Sequence, residues 1–397
     1  MIQATRVLFY VQHLQGVGHL YRAARIVRAM TTAGLAVDLV SGGRPVPGLN
    51  AGGATLHQLA PVQCPDGDFA NLRDGRGDPV DEAFRDRRRE ALLALFRASA
   101  PDAVIIEAFP FGRRQMGFEL LAFLEATASR DPKPLIVCSV RDILQGSKKP
   151  ERNRETVDRV NGFFDFVLVH GDPAFAALDE TFPAAGKFAA KVHYTGLVAD
   201  PAPPGESAND GNQGDQAGGE VLVSAGGGAT DSGALLRAAL AARPLSNLKD
   251  RPWRLLAGPN LAGDERARLV ATAPQGVTVE ANRDDFPSLL SRCAVSVSQA
   301  GYNTVAELLR AGCRAVVVPY SAGGETEQSF RAQRLNERGL AHVVEETALG
   351  PETLAAAVDA AAGGLAPELG GIDLDGAENS ARLVMSWLDR LRPTCAR

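Results

Sequence analysis

Short apolar runs alternate with stretches of helical periodicity along almost the whole chain, and this alternation constrains the fold more than any other feature. RVLFYV at Arg6–Val11, AVDLV at 36–40, DAVII at 102–106, LIVCSV at 135–140 and FVLVH at Phe166–His170 are near-continuous Val, Ile and Leu. Runs of this length and composition read as strands buried on both faces. Between them, 20–30, 82–97 and 118–128 carry apolar residues at helical spacing. In the first of these, Arg22, Arg25 and Arg28 fall on other faces than the apolar stripe. Strand and helix in alternation give a parallel sheet covered by helices on both sides.

The pattern breaks once, at 201–219, PAPPGESANDGNQGDQAGG. This segment has too little apolar surface to order itself strongly and reads as a flexible linker. The alternation then restarts. Strands are expected at Val221–Ser224, Trp253–Ala257, 277–280, 294–298 and 315–319, with helices at 232–242, 304–311 and 327–338. A Gly-rich stretch at 362–371 precedes a last helix at 379–391. The expectation is an α/β chain of two Rossmann-like, doubly wound parallel-sheet domains: 1–200, then 220–378, with 379–397 packing back on the first. Two domains suit the 397-residue length.

Composition removes several function classes. The net charge of −5 gives no broad electrostatic footprint for nucleic acid. No run of about 18 uncharged apolar residues is present for a membrane span. The first residues lack the pattern of a signal peptide. The five cysteines are scattered, odd in number and without CxxC spacing, which argues against a disulfide framework or a structural zinc. The expected compartment is the cytoplasm.

Ligands of doubly wound folds bind beyond the carboxyl ends of the strands, so chemistry is expected in the strand-to-helix loops. The first loop, QHLQGVGHL, places Gly16 and Gly18 in a tight turn and His19 at a helix start. There the positive end of the helix dipole favours neutral imidazole, which suits a general base; a capping or packing His is the plain alternative. Tyr21 stands where a third glycine of GxGxxG would be, so a dinucleotide fold gains little support. In SAGGGATD, Gly226, Gly227 and Gly228 expose backbone N–H groups able to hold a diphosphate. In SQAGYNTVAELLRAG, Gly301 breaks the strand, Asn303 is a candidate N-cap, and Glu307 could accept from a ribose diol. In PYSAGGETEQSFRA, Glu327 and Gln328 stand in a first helical turn and suit sugar hydroxyls, although Glu327 and Arg331 are also spaced for a plain helix pair.

The run from Ser298 to Ala341, SQAGYNTVAELLRAGCRAVVVPYSAGGETEQSFRAQRLNERGLA, resembles the C-terminal signature of MurG-type glycosyltransferases of family 28. Gly16, Gly18 and His19 resemble the N-terminal glycine loop of the same group, and the order of elements is similar to its GT-B architecture, two domains facing a cleft. The resemblance implies an inverting, metal-independent transfer from a nucleoside diphosphate sugar, UDP-linked by preference, to a hydroxyl acceptor, with no other cofactor. Gly301, Asn303, Thr304 and the glycine loop would hold the diphosphate, Glu307 the ribose, and the backbone around Arg283 the base. Gln328 would bind the donor sugar, and His19 would be the candidate base. Where MurG has a second amide facing its sugar, this chain has Arg331, which could instead pair with a uronic acid carboxylate.

In the N-terminal half, Glu107 and Asp142 follow strands and could orient His19 or replace it as base. Arg113, Arg114 and Arg141 could bind an acidic acceptor, and the mix of aromatics and arginines in FPFGRRQMGF suits a peripheral contact with the inner face of a membrane and a lipid-linked acceptor. Loop-forming ion pairs are the plain alternative for these arginines. The loop at 61–80 has turn composition and is expected over the acceptor site. Asp66-Gly-Asp68 and Asp373-Leu-Asp375 match the metal-binding Asp-x-Asp of other transferases by letters only. The competing classes are a nucleotide-sugar epimerase or hydrolase, a non-catalytic nucleotide-sugar binder, and a nicotinamide oxidoreductase.

Overall fold

The computed structural model describes residues 4–64, 71–145, 149–201, 219–226, 232–258 and 261–391. The expected linker therefore lies, but for its ends, outside the described residues, as do Gly227, Gly228, Asp66 and Asp68. Contacts divide the chain into two units, Met1–Val198 with Asp375–Arg397, and Ala199–Leu374. Among the described residues no helix is long and apolar enough to cross a membrane.

The first unit is a seven-stranded parallel sheet. Its strands are β1 (Arg6–Val11), β2 (Ala36–Ser41), β3 (Thr55–Gln58), β6 (Ala103–Glu107), β7 (Leu135–Arg141), β8 (Phe166–His170) and β9 (Val192–Tyr194). They run in the order β3-β2-β1-β6-β7-β8-β9. The order reverses between β1 and β6, where Tyr10 lies against Ile106, so that crevice is the switch point at which open α/β sheets take their ligands. Helices α1 (Gly18–Thr32), α2 (Glu82–Ser99), α3 (Gly117–Ala128), α4 (Pro150–Phe163) and the short α5 (Leu178–Thr181) connect the strands. Two of these strands, β3 and β9, are short edge strands with little apolar patterning, and sequence periodicity did not reveal them. The loop expected at 61–80 contains a small antiparallel pair, β4 (Val62–Gln63) with β5 (Arg73–Asp74).

The elements form where local chemistry asks for them. Asp81 caps α2, its carboxylate accepting from Phe84 N at 2.7 Å, and Ala100 closes the helix in the left-handed region at φ 42°. The strands of the central sheet are buried along nearly their whole length, and Leu120, Phe123 and Leu124 of α3 pack into the same core.

The second unit repeats the plan with six parallel strands: β10 (Val221–Ser224), β11 (Trp253–Ala257), β12 (Val277–Ala281), β13 (Val295–Ser298), β14 (Ala315–Val317) and β15 (His342–Val343). Their order is β12-β11-β10-β13-β14-β15, which puts the switch point between β10 and β13, with Ser224 against Ser298. Helices α6 (Ser232–Ala242), α7 (Gly263–Thr272), α8 (Phe286–Arg292), α9 (Tyr302–Ala311), α10 (Glu327–Glu337) and α11 (Pro351–Gly363) cover it. Gly312 ends α9 with φ 59°, the left-handed turn expected of that glycine. The last helix, α12 (Gly376–Leu391), belongs to the first unit. Its Trp387 stacks on Phe166 with ring centroids 4.0 Å apart, and Asn379 donates to Thr195 O.

Arg22 and Arg25, off the apolar stripe of α1, are nonetheless buried, at 2% and 8% exposed. A buried guanidinium is tolerable only with a partner, and for Arg22 that partner is a carboxylate on β6.

Candidate functional site

At the first unit's switch point, β1 ends and the chain turns through Gly16 and Gly18 into α1. His19 is the second residue of that helix. Glu107 is the last residue of β6 and is fully buried. His19 Nδ1 lies 2.7 Å from Glu107 Oε1. A carboxylate only accepts, so Nδ1 carries the proton and Nε2 presents its lone pair. Arg22, one turn along α1, donates to the same Oε1, and Glu107 Oε2 is buried with no hydrogen-bond partner among the described residues.

Burial pushes the His19 imidazole down to about 3, Glu107 opposing and Arg113 and Arg22 reinforcing the shift. Burial alone would raise the Glu107 carboxyl, but His19, Arg22 and Arg113 together outweigh it and hold it at about 2. The pair is therefore neutral imidazole and carboxylate at neutral pH. This is the arrangement of an oriented general base. The carboxylate beside His19 is Glu107; Asp142 follows β7 and is fully buried with Gly171 packed against it.

The arginines separate. Arg113, in the left-handed region at φ 57°, donates through Nε to Gln12 O at 2.6 Å and so ties the turn after β6 to the turn after β1. Arg114 donates to Glu155 Oε2, Arg152 O and Thr156 Oγ1, which pins the entry of α3 to α4. Arg141 is half-buried at the end of β7.

A second buried cluster braces the same turn. Arg88 of α2 donates to Glu119 Oε2 at 2.5 Å, to Gln12 Oε1 at 2.6 Å and to Gly42 O at 2.9 Å. Tyr10 donates to Glu119 Oε1 at 2.5 Å. A Cβ on Gly42 would sit 2.1 Å from Gln12 Oε1 and 2.3 Å from Arg88 Nη2, so a side chain there would have to displace this contact. Arg88 is one of several arginines in α2, and composition does not separate it from the solvated Arg87 and Arg89.

The second unit's switch point is built differently. Gly226 follows β10 at φ 69°, a conformation that favours glycine. A Cβ on Gly258, after β11, would lie 2.1 Å from Gly226 O, so the two turns meet backbone to backbone. After β13, Ser298 is fully buried, and its Oγ has no partner among the described residues. Gly301, not Asn303, is the N-cap of α9. The expectation fails because the helix begins two residues earlier, at Tyr302, which places Asn303 and Thr304 inside its first turn. Glu307 follows on the second turn, half-buried. Glycine turns and a helix N-terminus present backbone N–H groups and the positive end of a dipole, an anion site that needs no charged side chain.

Around α10 the sequence expectations divide. Gln328 Oε1 accepts from Tyr320 N at 3.1 Å, which ties the side chain to the turn after β14. Glu327 and Arg331 are both buried, and Arg331 donates to Glu327 Oε1 at 2.8 Å and to Ala300 O at 2.9 Å. Its guanidinium also lies 5.7 Å from the Tyr302 ring centroid. Arg331 thus clamps α10 to the turn before α9. The Arg283 side chain makes a bidentate pair with Asp285 at 2.7 Å.

Residues 222–363 match the glycosyltransferase family 28 C-terminal domain. The UDP-N-acetylglucosamine--N-acetylmuramyl-(pentapeptide) pyrophosphoryl-undecaprenol N-acetylglucosamine transferase of Lactiplantibacillus plantarum is 30% identical over 134 residues, 34% of this chain and 37% of that protein. The chain thus matches about a third of that relative's length. Solved structures extend the likeness to both units. The calicheamicin glycosyltransferase CalG4 superposes with a TM-score of 0.60 at 17% identity, covering 99% of this chain and 100% of its own. MurG of Acinetobacter baumannii gives 0.54 at 16% identity, covering 98% and 99%. The second unit is therefore a MurG-like glycosyltransferase family 28 C-terminal domain, in a chain whose two Rossmann-like units have the fold of GT-B glycosyltransferases.

Proposed function

We propose that the chain transfers a sugar, with inversion, from a nucleoside diphosphate sugar to a hydroxyl acceptor. The observation that carries the reading is the His19–Glu107 pair at one switch point, in a chain whose other switch point is a glycine-lined helix N-terminus. His19 Nε2 takes the acceptor hydroxyl proton as the oxygen attacks the anomeric carbon. Glu107 fixes the tautomer and stabilises the imidazolium that forms. The bond to the diphosphate breaks, and its negative charge settles on the N–H groups of the Gly226 turn and the first turn of α9, which lets the step proceed without a metal. Glu307 binds the ribose, the backbone around Arg283 the base, and Gln328 the donor sugar. UDP is the favoured carrier because the curated relative is named for a UDP-sugar; a neutral hexose or N-acetylhexosamine is the favoured sugar. Arg113, Arg114 and Arg141 are the candidates for an acidic acceptor.

The test is a thermal-shift screen in EDTA with UDP, GDP, CDP, dTDP, NAD and a panel of UDP-sugars, since a ligand of the native state must raise its apparent stability. Stabilisation by UDP and one UDP-sugar is expected. Stabilisation by NAD alone, or by no nucleotide, overturns the reading. Consumption of the sugar nucleotide with no acceptor present points to the epimerase or hydrolase alternative.

A further inference from the structure

The acidic oxygen that orients His19 is shared. Glu107 Oε1 receives His19 Nδ1 at 2.7 Å and the Arg22 guanidinium, while Oε2 is buried without a partner among the described residues. Arg22 Nη2 also lies 3.4 Å from His19 Nδ1. We infer that Arg22 is a positioning residue for the base: its buried guanidinium keeps Glu107 ionised and His19 in the neutral form, with the proton on Nδ1 and the lone pair on Nε2. The inference rests on the proposed role of His19 and adds the residue that sets its protonation.

The argument is one of net charge in a buried place. Glu107 is fully buried and Arg22 is 2% exposed. Among the three hydrogen-bonded groups, a carboxylate, a guanidinium and a neutral imidazole sum to zero, and an added proton leaves an uncompensated cation. Without Arg22, carboxylate and neutral imidazole leave a charge of −1 among them, which one added proton cancels. Buried groups settle in the state that leaves least charge uncompensated. Loss of Arg22 should therefore draw a proton onto the pair at higher pH, and His19, carrying it, would no longer be a base. The other groups that act on the pair do not replace Arg22. Arg113 also acts on Glu107 by its charge, but less than Arg22 does, and its Nε is given to Gln12 O. His13, which also feels Glu107, and His170, which feels both Arg22 and Glu107, are both driven toward the neutral form by burial. Arg141 acts by its charge on Arg113.

Imidazole nitrogen NMR reads the result directly and needs no substrate. The chain has six histidines, and the His19 signals are those missing from His19→Asn. In the wild type, His19 is expected to stay neutral, protonated at Nδ1, from pH 8 to below pH 5. In Arg22→Gln it should take up a proton at least one pH unit higher, a tenfold rise in proton affinity. Arg22→Lys, which keeps the charge, should stay within half a unit of wild type. A folded Arg22→Gln with the wild-type midpoint overturns the inference. So does a wild-type His19 that is cationic or protonated at Nε2 at pH 7, which decides the matter even if Arg22→Gln does not fold. The base assignment fails separately, by normal turnover in His19→Ala, and that result would leave the titration difference in place.

Discussion

The two units share one sheet plan and one place for a ligand, and they furnish that place in opposite ways. In the first, the switch point between β1 and β6 is lined by paired ionisable side chains, Glu107 and Arg22 buried, His19 and, through the turn after β1, Arg113 half-buried. In the second, the switch point between β10 and β13 is lined by glycine and serine, with backbone meeting backbone at Gly226 and Gly258. The first arrangement suits a proton, because burial and neighbouring charge decide who holds it. The second suits an anion, because bare N–H groups and a helix dipole accept diffuse negative charge without ionised side chains of their own. One topology thus supplies the place and leaves the chemistry to a few residues.

The largest expected effect separates the two. His19→Ala should lower turnover by about 10²–10⁴-fold, the range for loss of a general base, without weakening donor binding in the second unit. Steady-state kinetics at saturating donor checks it, and normal turnover would dissolve the distinction between the units. Next is Arg331→Ala. Leaving Glu327 buried without its partner should cost about 3–5 kcal/mol of stability, read as a fall in denaturation midpoint. A change confined to donor-sugar preference would instead restore Arg331 to the sugar site.

Glu307→Ala should raise the KM for the donor by about 10–100-fold, the worth of charge-assisted hydrogen bonds to a diol, and leave saturated turnover nearly intact. An unchanged KM would remove Glu307 from the ribose site.

The smallest effect is on acid stability. His19 and His170 are both held at about 3, chiefly by burial, against 6.5 for the free side chain. Between those values the unfolded chain binds more protons, so stability falls as pH drops from about 6.5 toward 3. Glu107, at about 2 against 4.5, stabilises fully above 4.5 and loses that stabilisation as pH falls toward 2. Melting temperatures between pH 7 and pH 4 should therefore decline, and less steeply in His170→Gln.

Most of this fold was legible because strands buried on both faces write themselves as apolar runs. The edge strands β3, β9 and β15 were not, since half-exposed strands of two to four residues carry little pattern. At the site, His19, Glu107 and the glycine turns were legible because turns and helix starts demand particular residue types. Arg22, Arg88 and Glu119 were not. Each sits on a helix among other charged residues, and only the tertiary partner, a carboxylate or guanidinium far away in sequence, shows that it is inside. The same blindness hides Arg331, whose contact with Ala300 O no helical spacing predicts.

The division of labour between the units is tested most directly by calorimetric titration of UDP, in EDTA, into the wild type, His19→Ala and Glu307→Ala. The account predicts wild-type affinity in His19→Ala and affinity about 10-fold or more weaker in Glu307→Ala. Loss of UDP binding in His19→Ala with full retention in Glu307→Ala would place the nucleotide in the first unit and contradict it.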